Sequence, residues 1–144
     1  MLRRAAPLAC LLALLALGCG GGGPSDADDA RKAVEGYVRD LGTRDGAGVC
    51  NHMTKALQRT FVTSMTRANP QTRGMACGEI MTRALESIPS DQLDAFTTAK
   101  IDDVKVTGAK GTFVYRLHDV GVDGQVAREG GAWKVSCCVP GQEP

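Results

Sequence analysis

Six cysteines and two histidines are the side chains best suited to chemistry in this 144-residue chain, and their spacing limits what they can do. Cys50-Asn51-His52 puts two metal donors close together, but zinc sites pair their ligands two to four residues apart, twice over. No second pair of that kind exists here, so a metal centre is not expected. Cys137 and Cys138 are adjacent rather than set in a Cys-x-x-Cys redox spacing, which argues against an oxidoreductase motif. Met53, Met65, Met75 and Met81 recur at helical spacings and read as gap-fillers of a core. His118 stands at the end of a candidate strand and is expected at the surface, while His52 lies beside the apolar stripe of its helix.

The elements that must position these residues begin after a leader. The apolar run from Ala5 to Leu17 is too short for a helix that crosses a bilayer, which takes roughly 20 residues. Arg3 and Arg4 precede it and small residues follow, the layout of a secretory signal. Leu15-Ala16-Leu17-Gly18-Cys19 resembles the lipobox of bacterial lipoproteins. That resemblance implies removal of residues 1–18, lipid on Cys19, and an extracytoplasmic domain anchored to the membrane of the cell envelope. Acyl chains bury at about 0.8 kcal/mol per methylene and stable anchoring takes more than one; the resemblance implies three. Residues 19–25, with four consecutive glycines and Pro24, read as a flexible tether. The competing reading of the same residues is an ordinary secretory signal with a cysteine nearby.

What remains suits one domain, expected over residues 26–140. The whole chain carries a net charge of +1, and loss of Arg3 and Arg4 brings it to about −1. With no basic block, and three Phe, two Tyr and one Trp for base stacking, nucleic-acid binding is not expected. Export also sorts the sulfurs. Cys10 leaves with the leader and Cys19 takes lipid, so Cys50, Cys77, Cys137 and Cys138 are left for an oxidising compartment, with three connectivities open.

Helical periodicity runs first. Ser25 followed by Asp28 has capping-box spacing, and Ala30, Ala33, Val34, Tyr37, Val38 and Leu41 form one stripe ending at Gly42. A second helical region is expected from Gly46 to Ala68 with a break near Thr54, a third from a cap near Thr72 to Ile88, and a short fourth capped by Ser90. From Lys100 the period shifts towards two. Strands are expected at Lys100 to Thr107, Gly111 to His118, Val122 to Glu129 and Ala132 to Cys138. Helices followed by antiparallel strands make an α+β fold, amino-terminal helices packed on a curved antiparallel β-sheet.

Cys50 and Cys77 fall on the apolar faces of neighbouring helices, so a bridge between them is geometrically easy. On the chain-entropy account it contributes roughly 3.5 kcal/mol. Cys137 and Cys138 would point to opposite faces of a regular strand and can bridge each other only where the strand has ended.

Taken in order, "YVRDLGTRDGAGVC", the cysteine-bearing helices, "KIDDVKVTGAKGTFVYRL" and "VAREGGAWKVSC" resemble the nuclear transport factor 2-like superfamily, which includes ketosteroid isomerase. The resemblance spans about residues 26 to 138. It implies a cone, a sheet wrapped around the first helix with a pocket at the wide end; no cofactor is expected. Two functions are compatible with it. The first is a non-catalytic module binding a small apolar ligand or a cell-envelope protein. The alternative is a small isomerase or dehydratase using Tyr37 and a carboxylate such as Asp103. A carboxylate within hydrogen-bond reach of Tyr37 would favour the enzyme, and an interior filled by its own side chains would favour protein contact. Dimerisation through the sheet is compatible with either.

Overall fold

The computed structural model describes residues 24–137. The leader, Cys19, most of the tether and Cys138 lie outside the described residues. Five α-helices are followed by four strands: α1 (Pro24–Gly42), α2 (Gly46–His52), α3 (Lys55–Ala68), α4 (Cys77–Glu86), α5 (Ser90–Thr97), then β1 (Lys100–Thr107), β2 (Lys110–Leu117), β3 (Val120–Glu129) and β4 (Ala132–Cys137). The strands form one antiparallel meander in the order β1-β2-β3-β4, and α1 packs on β1, β2 and β4. The fold is α+β, with the helices packed on a four-stranded sheet.

The α1 stripe is the seam between the layers. Ala30, Val34, Tyr37, Val38 and Leu41 are buried against Phe113, Tyr115, Val126, Trp133 and Val135 of the sheet's inner face. Phe113 and Tyr115 alternate with half-buried Val114 in β2, as the pleat requires. Helix α1 begins at Pro24, not after Ser25, so the helix takes up the last two residues assigned to the tether and Ser25 is helical. Proline is well placed at a first helical position because its fixed φ suits the helix and its missing N–H would have no helical partner there.

The break expected near Thr54 is present. The Thr54 hydroxyl accepts from Leu57 N at 3.2 Å and caps α3, while Met53 forms a parallel bridge to Val135 and Thr54 N donates to Val135 O at 2.8 Å. This ties the α2–α3 junction to the β4 edge. Thr72 does not cap the next helix. It closes a 3-10 turn, Pro70–Thr72, with its hydroxyl on Asn69 O at 2.8 Å. Helix α4 starts at Cys77, and its first turn is fixed by Glu79, whose carboxylate accepts from Ala76 N at 2.9 Å. Ser90 likewise is the first residue of α5 and not its cap; its hydroxyl accepts from Arg44 Nη2 at 3.0 Å. Arg44 itself sits at φ +60, a left-handed conformation uncommon outside glycine, and its guanidinium also holds Ile88 O at 3.1 Å.

Strand β1 has the limits expected, while β2 begins and ends one residue earlier and β3 begins two residues earlier. The β2–β3 turn claims His118, at φ +54 and exposed. At the opposite edge of the sheet, Arg31 of α1 donates to Ile101 O at 2.8 Å, next to an irregularity in the β1–β2 register between Ile101 and Asp103.

Candidate functional site

Tyr37 and Asp103, the pair required by the enzymatic alternative, are not brought together. Tyr37 is fully buried, and its hydroxyl has no hydrogen-bond partner among the described residues. Burial, with Tyr115 nearby, pushes its pKa far above that of a free phenol; Tyr115 is pushed up to about 12 by burial as well. A phenol held so firmly protonated can donate a hydrogen bond but is a poor proton shuttle near neutral pH. Asp103 lies opposite Val114 in the β1–β2 register, is half-exposed, and is paired to Lys105 Nζ at 2.7 Å. It lines a shallow hollow of about 330 Å³ together with Val114 and Asp123. Aromatic rings pack in the core that holds Tyr37: Phe113 and Tyr115 stack at 6.1 Å and Phe96 lies 6.3 Å from Tyr115.

A polar cluster does form, between α1 and α2. Asp40 is 7 % exposed. Its Oδ1 accepts from Arg39 Nε at 3.0 Å and Nη2 at 2.9 Å, and its Oδ2 lies 3.2 Å from His52 Nε2. That contact assigns the imidazole proton to Nε2 by geometry. The ring rests directly on the α1 backbone at Gly36, where a Cβ would stand 2.4 Å from the His52 ring. Burial lowers the His52 pKa; Asp40 opposes this, and Lys134 and Arg39 reinforce it. Asp40 went unnoticed in the sequence. Its signal was there: an acid three residues beyond Tyr37 on the apolar stripe, with a helix-interior glycine one turn earlier.

The His52 shift sets a pH dependence. A base whose folded pKa is depressed leaves the unfolded chain binding more protons, so stability falls as pH drops below about 6.5 and through the folded value. Melting temperatures between pH 7.5 and 5 should fall more steeply for the native protein than for His52→Gln. Parallel curves would show that His52 does not titrate in this way.

The third feature is a groove of about 740 Å³ between α2 and α4, with Cys50 and Cys77 on its wall and Asn51, Thr82, Arg83 and Glu86 around them. Cys50 and Cys77 form a disulfide with a Cα–Cα distance of 6.1 Å, the pairing expected from the helix faces. Cys50 is buried and Cys77 half-buried. The side chains of Arg83 and Glu86 make no ion pair among the described residues. Cys137, at the end of β4, is also disulfide-bonded; its expected bridge to Cys138 involves a residue outside the described ones. Among the described residues no three His, Cys, Asp or Glu side chains are grouped to hold a metal ion, and no helix is long and apolar enough to cross a membrane.

No protein family, curated protein or solved structure matches this chain, so its function has to be read from its own residues.

Proposed function

We propose that the chain is a lipid-anchored lipoprotein of the cell envelope, outside the cytoplasm, whose nuclear transport factor 2-like domain is a non-catalytic module that takes hold of a protein neighbour through the α2–α4 groove. The observation that carries this reading is the sealed hydroxyl of Tyr37, fully buried and with no carboxylate bonded to it. The chemistry of an isomerase or dehydratase needs that group open to substrate and next to a base. Open space lies instead on the helical surface. There Arg83 and Glu86 offer uncommitted charges beside Thr82 and Asn51, a polar rim of the kind that fixes register at protein contacts.

The test uses the full chain in its native envelope. A photo-crosslinking residue in place of Thr82 should give a discrete adduct with an envelope protein. The same probe in place of Val114, on the opposite face of the sheet, should not. Equal labelling from both positions would overturn the groove. In the same cells Cys19→Ser should abolish lipidation and move the protein into the medium; retention in the membrane would overturn the anchor.

A further inference from the structure

We propose that the Cys50–Cys77 bridge is a site of reversible thiol–disulfide exchange with a dithiol or disulfide partner, and that Cys77 is the sulfur through which exchange passes. This goes beyond the docking role of the groove, since it requires only that the bridge can be reached there.

The two sulfurs are in unlike places. Cys50 belongs to α2 and is 5 % exposed, sunk among core residues. Both line the open groove, but Cys77 is half-buried and so the more exposed of the two. It is also the first residue of α4, a helix of 10 residues, where backbone N–H groups and the helix dipole favour a thiolate. An incoming thiolate therefore meets Cys77 first. Its attack on Cys77 Sγ forms a mixed disulfide and breaks the internal bond, and Cys50 leaves with the electron pair and takes a proton. The partner's second thiolate then attacks its own sulfur in the mixed disulfide and expels Cys77 as a thiolate. The net change is oxidation of the dithiol and reduction of the bridge by two electrons. In reverse, the Cys77 thiolate opens a partner disulfide and Cys50 closes the internal bond. A sulfur at a helix start serves as leaving group in one direction and as nucleophile in the other.

Opening the bridge need not unfold the domain. Helix α4 is also held by Ile80, Met81 and Leu85, all buried, and Gly78 comes so close to α2 that a Cβ there would stand 3.0 Å from the Ala47 Cα. What changes is the floor of the groove, so redox state would set how the groove presents itself to a partner.

The mature chain is treated with reduced dithiothreitol at pH 7 without denaturant, alkylated, and mapped by peptide mass so that Cys137 is scored separately. Cys50 and Cys77 should become alkylated at a rate independent of added low denaturant, while near-UV circular dichroism is retained. Reduction that proceeds only as fast as global unfolding would overturn the proposal. The single variants test the assignment. With Cys50→Ala, the Cys77 thiol should titrate at least one unit below the ordinary value of about 8.5 and form a mixed disulfide with glutathione disulfide. It should do so at least tenfold faster than the Cys50 thiol does with Cys77→Ala. Equal or reversed rates would overturn the role of Cys77. The crosslink from Thr82 is read with the bridge intact, so failure of docking and failure of exchange are separate results.

Discussion

Replacing both Cys50 and Cys77 with alanine is expected to lower the melting temperature by about 10–15 °C. The two residues are 27 apart in sequence, and on the chain-entropy account closing a loop of that length restricts the unfolded chain by roughly 3.5 kcal/mol. For a domain of this size each kcal/mol is worth about 3–5 °C. Domains of this kind have about 5–15 kcal/mol of stability, so the variant should still be folded at 25 °C. Calorimetry in non-reducing buffer reads the shift directly. Reductant should lower the native protein by an amount approaching this and move the double variant by less. Coincident melting curves for the native and double-variant proteins would show that the bridge does not restrain the unfolded chain.

Gly46→Ala is expected to destabilise by about 3 kcal/mol, against the direction that helix propensity gives. Alanine is better than glycine in a helix interior by about 1 kcal/mol, and Gly46 opens α2. The tertiary contact reverses the sign. A Cβ at this position would stand 2.3 Å from Thr82 N and 2.6 Å from Gly78 O, besides crowding the Thr82 hydroxyl, so it meets backbone of α4 that no side-chain rotation can clear. Relief requires moving two helices whose Cα atoms at Cys50 and Cys77 are tied 6.1 Å apart. Overpacking of this sort typically costs 1–3 kcal/mol and occasionally more. Urea unfolding reads the change, and a Gly46→Ala protein as stable as the native one would mean that the α2–α4 spacing yields. The companion variant Gly74→Ala, at a site where nothing lies within 4 Å of the new Cβ but φ is +82, should be destabilised by backbone strain alone, at roughly 1 kcal/mol.

Much of the fold was legible because local signals and burial agreed. The α1 stripe and the four strands rested on periodicity that the structure uses as expected, and the interruption near Thr54 is where that hydroxyl caps α3. The start of α4 was not legible at Thr72, because that hydroxyl bonds backwards to Asn69 O and the true cap is made by Glu79 reaching back past an alanine. A search for Ser, Thr, Asp or Asn at the cap has nothing to find there. The site was harder still. The disulfide could be read from two helix faces. The Asp40–His52 contact joins residues on two different helices, and it depends on an imidazole lying flat against a glycine of α1. The acid on the apolar stripe of α1 marks Asp40 as unusual, but nothing near it in sequence names His52 as its partner. The inward stripe places Tyr37 in the core, but only the structure reveals that no carboxylate is bonded to its hydroxyl.

The Arg31 bond to Ile101 O has a consequence for molecules crowded side by side. An outermost strand offers its unpaired amides and carbonyls to any passing chain, a route to runaway strand addition and fibrils. Here a cation from the adjoining helix occupies one of those carbonyls, and the kinked register beside it spoils the straight ladder that an intruder would need. This end of β1 is thus a poorer template for an added strand than a straight, open edge would be.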